Sequence, residues 1–503
     1  MLGLTNTSAQ GISRVLTIVI AFPFLYLAWR VFYSLFLHPL RSYPGPLLWR
    51  VSGFPSAYYA LQGTLDKKML QIHRKYGTEV RIAPDELSFS DARAWKDVHM
   101  TKPEFSKDPK KIQYPPNGAH SILTGPRDEH ARFRRLLSYA FSDKGLREQE
   151  PRIKRYVDLL MVRLREDADK PASVNVVDLY TMAVFDIVGE LAWGESFHGL
   201  EERRVHEWIP AILANVKYVS QSVVLRGLGL ETFTSYLADP ELLKGRKKNY
   251  MLAAGLASKR AEYKGESRGD FWDRVLIKSE GDKAATEGMT TAEMINNASV
   301  LVLAGAETSA TTLSGTTYLL LKHPGVMKKA VNEIRTAFKS EEEIDIHSVS
   351  RLTYMLAVLD ESMRIYPPVS QQILRVPPSG GGMICGKWVP DTASLRLCPL
   401  AMNKTESNFA RPDDFVPERW LADAPAEFSN DVKQAFQPFS LGSRNCIGRN
   451  LAIAEMRLIL AKILFNFDLE LDEEKTGDWF DQQSYGVWWK GPLWVKFSVA
   501  KHV

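Results

Sequence analysis

Phe439-Ser440-Leu441-Gly442-Ser443-Arg444-Asn445-Cys446-Ile447-Gly448 reads F-x-x-G-x-R-x-C-x-G. This set of residues around one cysteine suits a thiolate held against something large, flat and anionic. Gly442 and Gly448 lack Cβ, so the backbone can turn tightly and come close to a ligand. Backbone N–H groups in such a turn can hydrogen-bond the sulfur and tune it. Arg444 can bind a carboxylate near the cysteine, and Phe439 can shield the sulfur from water. Immediately after the loop, Arg449 to Phe465 reads as a strong helix.

The rest of the chain sets bounds on that reading. It has 503 residues, 45% apolar and 24% charged, an ordinary globular composition that argues against extensive disorder. Net charge is +5, too mild for a nucleic-acid partner, and no basic tract with interleaved aromatics stands out. The three cysteines, Cys385, Cys398 and Cys446, are few for a secreted protein of this size, so free thiols in a reducing compartment are expected. Cys385 and Cys398 lie in strand-like runs and read as core thiols. Helical patterns dominate from Arg127 to about Phe338. Thr78–Ile82 and Leu87–Ser90 read as short strands around Pro84-Asp85, and Lys102 to Gly125 as a long loop. Ser379 to Gly382 punctuates the chain. Strands are expected over Met383–Val389, Ser394–Leu397 and Leu493–Phe497.

The cysteine loop resembles the cysteine-ligand loop of the cytochrome P450 family of haem-thiolate monooxygenases, in which a Cys thiolate ligates the haem iron. The resemblance implies a mostly α fold with small peripheral β-sheets, with Cys446 as axial ligand of the iron of haem b. Other segments fit it. Ala304-Gly305-Ala306-Glu307-Thr308-Ser309 lies inside a long apolar helix, Thr291 to Leu321. Glycine there costs about 1 kcal/mol relative to alanine, which makes sense if a flat ligand approaches at Gly305. In the family this helix activates oxygen: Thr308 is then the alcohol that delivers protons and Glu307 the acid that relays them from solvent. Glu361-Ser362-Met363-Arg364 is an E-x-x-R, whose ends share a helix face. Glu129–Arg132 and Glu201–Arg204 also match and read as solvated pairs. Context singles out Glu361: in the family this pair joins a later arginine, here Arg419 of Pro417-Glu418-Arg419-Trp420, in a buried ionic triad that holds the cysteine loop. Haem carries two propionates, for which the candidates are Arg444, Arg134, His130 (where the commonest family pattern has tryptophan) and Arg375.

The resemblance also implies partners: dioxygen, a lipophilic small molecule, and an NADPH-dependent flavoprotein reductase, with cytochrome b5 as a second donor. The reductase is expected on a basic face near Arg132, Arg135 and Arg449. The substrate pocket is expected along the Lys102–Leu123 loop, Val300, Leu301, Ala304, Val369 and the Tyr485–Trp489 turn. The look of residues 442–464 is similar to filamentous-fungal members of secondary metabolism, such as the trichothecene hydroxylases. A haem-thiolate isomerase or dehydratase, needing no reductase, would dispense with the acid–alcohol pair. A haem-binding sensor would need neither Thr308 nor a lipophilic pocket.

At the N-terminus, Val15 to Trp29 is uncharged, and with Arg30 snorkelling the apolar run continues to Leu37, long enough to span a bilayer. The expected organisation is a lumenal tail (1–14) bearing the sequon at Asn6, a transmembrane anchor (15–37), a proline-rich hinge (38–50) and a catalytic domain (51–503). Flanking Arg30, Arg41 and Arg50 place that domain on the cytosolic face of the endoplasmic reticulum membrane by the positive-inside rule.

Overall fold

The computed structural model describes residues 17, 21–113, 115, 117–168, 170–262, 268–279 and 284–501. Helices carry most of the chain, and the sheets are small. The helix Val176–Trp193 is buried along nearly its whole length, as a helix apolar all round must be. Asn175 caps its start by accepting from the Val177 N–H, and left-handed Gly194 ends it. Beside it runs the expected long helix, but in two pieces. Thr291–Val302 opens on a capping box between Thr290 and Glu293. A π turn, Leu303–Glu307, then interrupts it before Thr308–Lys322. This last piece is buried yet rich in hydroxyls, most of which are satisfied locally, Thr316 Oγ1 being left without a partner. Thr312 donates to the Thr308 carbonyl (3.0 Å), Ser314 to that of Ala310 (2.7 Å), and Tyr180 and Thr317 share a 2.8 Å bond. Such back-bonding lets Ser and Thr sit inside a helix without orphaned groups.

The largest sheet has five strands in the order Glu79–Ala83, Glu86–Phe89, Ser394–Leu397, Arg375–Val376, Ser106–Lys107. Glu86–Phe89 and Ser394–Leu397 pair parallel although about 300 residues apart in sequence, so this sheet joins the two ends of the chain. A second sheet pairs Trp494–Val499 with Phe467–Leu471 and Val174–Asn175. The Lys102–Gly125 stretch is mostly loop but supplies the edge strand Ser106–Lys107 and a 3₁₀ turn, Pro109–Lys111.

Several expectations are corrected. The run Met383–Val389 is a hairpin, Gly382–Ile384 against Lys387–Val389. Cys385 (φ 50°) and Gly386 (φ 80°) form its two-residue turn, so Cys385 is a buried turn residue and no strand residue. Cys398 ends its strand and precedes the helix Pro399–Asn403; both thiols are free and buried. The hinge is tied down: Arg81 N donates to the Pro44 carbonyl (2.8 Å), and a Cβ on Gly45 would meet the Arg81 carbonyl at 2.3 Å. The helix Leu47–Val51 crosses the expected boundary at residue 50.

Most of the expected tail, with Asn6, and much of Val15–Ile20 lie outside the described residues. Residues 21–32 are helical and are followed by a π turn, Tyr33–Leu37. Among the described residues no helix is long and apolar enough to cross a membrane.

Candidate active site

Helix Arg449–Asn466 begins directly after Gly448, so Cys446 sits at the mouth of a buried helix. The Cys446 N–H donates to the Phe439 carbonyl (2.8 Å), closing the loop. Gly442 is required twice over: its φ is +74°, and a Cβ there would lie 2.1 Å from the His99 carbonyl oxygen. Gly448, by contrast, has open space where its Cβ would be, with only Phe141 near at 3.8 Å. Phe439 lies beneath the Arg449 guanidinium, 5.8 Å from ring centre to Cζ. Cys446 lies deep enough that burial raises its thiol pKa, against the Gly448 N–H and the charges of Arg134 and Arg449. Its own surface is nevertheless accessible. Ala304 is likewise exposed between buried Val302 and Ala306.

The propionate candidates fall into two groups. Arg134 clamps the cysteine loop itself, Nη1 donating to the Asn445 carbonyl (2.7 Å) and Nη2 to its side-chain oxygen. Arg444 pairs with Glu104 and donates to the Gly125 carbonyl (3.0 Å). Arg375 lies 3.6 Å from the same Glu104. Neither Glu104 nor Lys107, which joins this cluster, carries a motif that sequence reading could have caught. Burial, with Arg375 and Arg444 next, lowers the Lys107 pKa well below its usual range. His130 is held near 4 by burial and then by Arg444, His99 near 3 by burial and then by Arg375. Arg375 itself falls to about 10 through burial and Arg444. Three cations thus crowd one carboxylate, and two buried nitrogens, Arg375 Nε and His99 Nε2, have no partner. Excess buried positive charge with orphaned nitrogens is what a ligand with two carboxylates would neutralise. The residues present fit haem.

The acid–alcohol pair sits where the π turn ends and the next helix begins. Such turns recur at functional sites. Thr308 Oγ1 donates to the Ala304 carbonyl (2.6 Å), which leaves its lone pairs as acceptors. Gly305 has a packing reason: a Cβ there would lie 2.9 Å from Val188 Cγ2 of the neighbouring helix. The exposed residue of the segment is Ala304, not Gly305. Glu307 is buried and ion-paired with Lys490, whose ammonium also donates to Thr311 Oγ1 (2.8 Å). Sequence reading missed Lys490, 183 residues away.

Glu361, Arg364 and Arg419 do come together, with zero exposure for all three side chains. Arg364 donates to both Glu361 oxygens (2.8 Å each), Arg419 to Glu361 Oε1 (3.1 Å), and Trp420 Nε1 to Glu361 Oε2 (2.9 Å). A fourth member, Asp431, takes Arg419 Nη1 at 2.6 Å, making the cluster electrically neutral. The other two E-x-x-R matches form no internal pair. Glu129 bonds His120 while Arg132 pairs with Glu293, and Glu201 bonds His198 while Arg204 pairs with Glu202. Arg132, neutralised and largely buried, therefore drops out of the expected docking face, which keeps the exposed Arg135 and Arg449.

Glu455, on the cysteine helix, is fully buried with Oε1 unpartnered. Burial raises its pKa to about 8 against a hydrogen bond with Ser309, the neighbour of Thr308. Its folded pKa lies above the unfolded value, so it stabilises fully below about pH 4.5 and loses that contribution as pH rises through 8. Glu455→Gln is expected to flatten this loss, which runs at about 1 kcal/mol per pH unit. Denaturant unfolding at pH 6 and 8.5 checks it.

A cavity of about 1160 Å³ adjoins the central helix, lined by Val300 and Leu303, by Ile112, Ser121 and Leu123 of the long loop, and by Tyr485 and Gly486. Leu301, Ala304, Val369 and Val487 to Trp489, expected in the lining, lie outside it.

The family model "Cytochrome P450" matches residues 42–494. The chain is 47% identical to a versicolorin B desaturase of Dothistroma septosporum, over 93% of this chain and 91% of the relative. It is 46% identical to an averantin hydroxylase of the same organism, over 93% and 88%. To a cytochrome P450 monooxygenase of Penicillium aethiopicum it is 42% identical, over 95% and 91%. An accessible cysteine at the start of a buried helix, a cationic cluster suited to two carboxylates, and a match over nearly the whole length lead to one assignment: the chain belongs to the cytochrome P450 family of haem-dependent monooxygenases.

Proposed function

We propose that this protein oxidises a lipophilic intermediate of fungal secondary metabolism, by hydroxylation or desaturation, as the names of its relatives suggest for them. The observation that carries the reading is the cavity of about 1160 Å³, which adjoins the helix Thr291–Val302 and Leu303 of the π turn before Thr308, and mixes apolar walls with a few polar groups. Haem b, when bound, supplies dioxygen activation and transfer of an oxygen atom or removal of hydrogen. The chain's residues do the rest. Cys446 would ligate the iron and Arg444, Arg375 and His130 would bind the propionates, while Arg134 holds the loop through Asn445. Thr308 hands on protons at Oγ1, with Glu307 behind it fixed by Lys490.

Electrons come from an NADPH-dependent flavoprotein reductase, docked around Arg135 and Arg449. Charge reversal at both is expected to slow electron transfer several-fold at low salt, an effect that salt erases. Reduction kinetics unchanged by the reversal would remove this docking face. The chain is anchored in the endoplasmic reticulum membrane with this domain cytosolic. Support comes from the exposed Phe22, Phe24, Leu25, Leu27 and Trp29, from exposed Leu47 and Leu48 near the end of the hinge, and from exposed Phe54 beyond it. Trp29, Tyr33 and Phe54 also line the cavity, so a lipophilic substrate reaches it from the membrane side.

The deciding experiment is spectroscopic. Reduced protein under carbon monoxide is expected to show the red-shifted Soret band of thiolate-bound haem, and Cys446→Ala to lose it. A Cys446→Ala protein with the same band would end the haem-thiolate assignment. Substrate-dependent NADPH consumption with the reductase, followed by product profiling, then separates a monooxygenase from a sensor.

A further inference from the structure

The cavity that the proposed function assigns to substrate has in its wall one guanidinium, that of Arg246, with a buried nitrogen that lacks an acceptor. Four basic side chains line it: Arg30, Lys111, Arg246 and Arg396. Arg396 pairs with Glu86 at 2.8 Å, and Lys111 lies 3.7 Å from the same carboxylate. Arg30 sits in the exposed N-terminal helix and bonds the Tyr26 hydroxyl. Arg246 differs from all three. Its Cζ lies over the Tyr218 ring, 4.7 Å from the centre, which fixes the guanidinium plane. Nη1 is shut off from water and has no acceptor, and no carboxylate pairs with it among the described residues.

Its neighbours add donors. Arg246, Asn249, Tyr250 and Ala253 form one face of the helix Pro240–Glu262 that lines the cavity. Asn249 Oδ1 is occupied, accepting from Trp208 Nε1 (2.8 Å) and Ser299 Oγ (3.2 Å). The Asn249 amide therefore presents its NH₂ end as the free one. Around these lie Val216, Val219 and Val223. An unpaired guanidinium beside a free amide donor, in a wall otherwise apolar, is a receptor for an ionised oxygen on a hydrophobic frame.

We propose that Arg246, with Asn249, anchors the acidic oxygen of the substrate, a carboxylate or an acidic phenol, and so selects polar-ended lipophiles over plain hydrocarbons. This rests on the cavity being the substrate site. The test uses holoenzyme and equilibrium binding of two probe pairs: anthracene-2-carboxylate with its methyl ester, and a hydroxyanthraquinone with its methyl ether above and below the phenol pKa. Wild type is expected to prefer the ionised member of at least one pair, which tells carboxylate from phenolate. Arg246→Met is expected to cut that preference by about tenfold to a hundredfold, and Arg246→Lys to restore part of it, with the carbon monoxide spectrum intact in both. Equal weakening of both members of each pair by Arg246→Met would overturn the anchor while leaving the cavity as substrate site. No binding of any probe to wild type would overturn the anchor together with the substrate-site reading beneath it.

Discussion

Arg364→Met is expected to destabilise the protein by about 3–5 kcal/mol, the cost of leaving a buried charge without its partner. Arg364 has no exposed surface, and its guanidinium holds three backbone carbonyls besides Glu361: those of Asn403 (2.7 Å), Pro412 (2.6 Å) and Asp414 (2.8 Å). Removing it leaves the Glu361 carboxylate with only Arg419, Trp420 and the Val416 N–H, gives the buried cluster a net negative charge, and frees the segment that runs from Asn403 through Arg419 towards the cysteine loop. Haem retention is therefore expected to fall along with the unfolding midpoint. Glu361→Gln, which keeps the shape and one acceptor, is expected to cost less but still to unbalance the four-charge cluster. Guanidinium unfolding of the holoprotein, followed by the Soret band and by tryptophan fluorescence, reads both losses. An Arg364→Met protein with wild-type midpoint would show that the cluster is dispensable to the fold.

The cluster also shows which parts of the protein sequence patterns reveal. A motif confined to consecutive residues, such as the Cys446 loop, is legible because its members share one local turn; Gly442 meets both its positive φ and the His99 carbonyl. E-x-x-R is too short to carry that information. Of three matches only Glu361–Arg364 forms a pair, and what distinguishes it is burial, which spacing does not encode. Asp431, Glu104 and Lys490 were illegible for a related reason: their partners are assembled by tertiary contacts between remote segments. The misread hairpin failed locally. A Cys-Gly turn lacks the Asn-Gly or Asp-Gly signature of two-residue turns with positive φ, so Met383–Val389 passed for one strand. The π turn at Leu303–Glu307 left one trace, the glycine inside an apolar helix, and its clearance serves Val188.

Lys490→Met is expected to cost stability comparable to Arg364→Met, about 3–5 kcal/mol, and to change proton delivery as well. Lys490 and Glu307 are both nearly closed to solvent, at 5% and 7% side-chain exposure. Without the ammonium, Glu307 keeps only the Thr311 hydroxyl at 3.3 Å. The double variant Glu307→Gln/Lys490→Met removes both charges and is expected to recover most of the lost stability, so the cycle of single and double variants measures the coupling of the pair. Turnover separates holding from relaying. Glu307→Gln has no proton to pass on and is expected to lose about 100-fold in rate or more, with the double variant no faster despite its recovered stability. Lys490 follows Tyr485 and Gly486 of the cavity wall, four residues after the second. Additive stability losses in the two single variants would dissolve the pair as an energetic unit, and full activity in Glu307→Gln would take the acid out of the proton path.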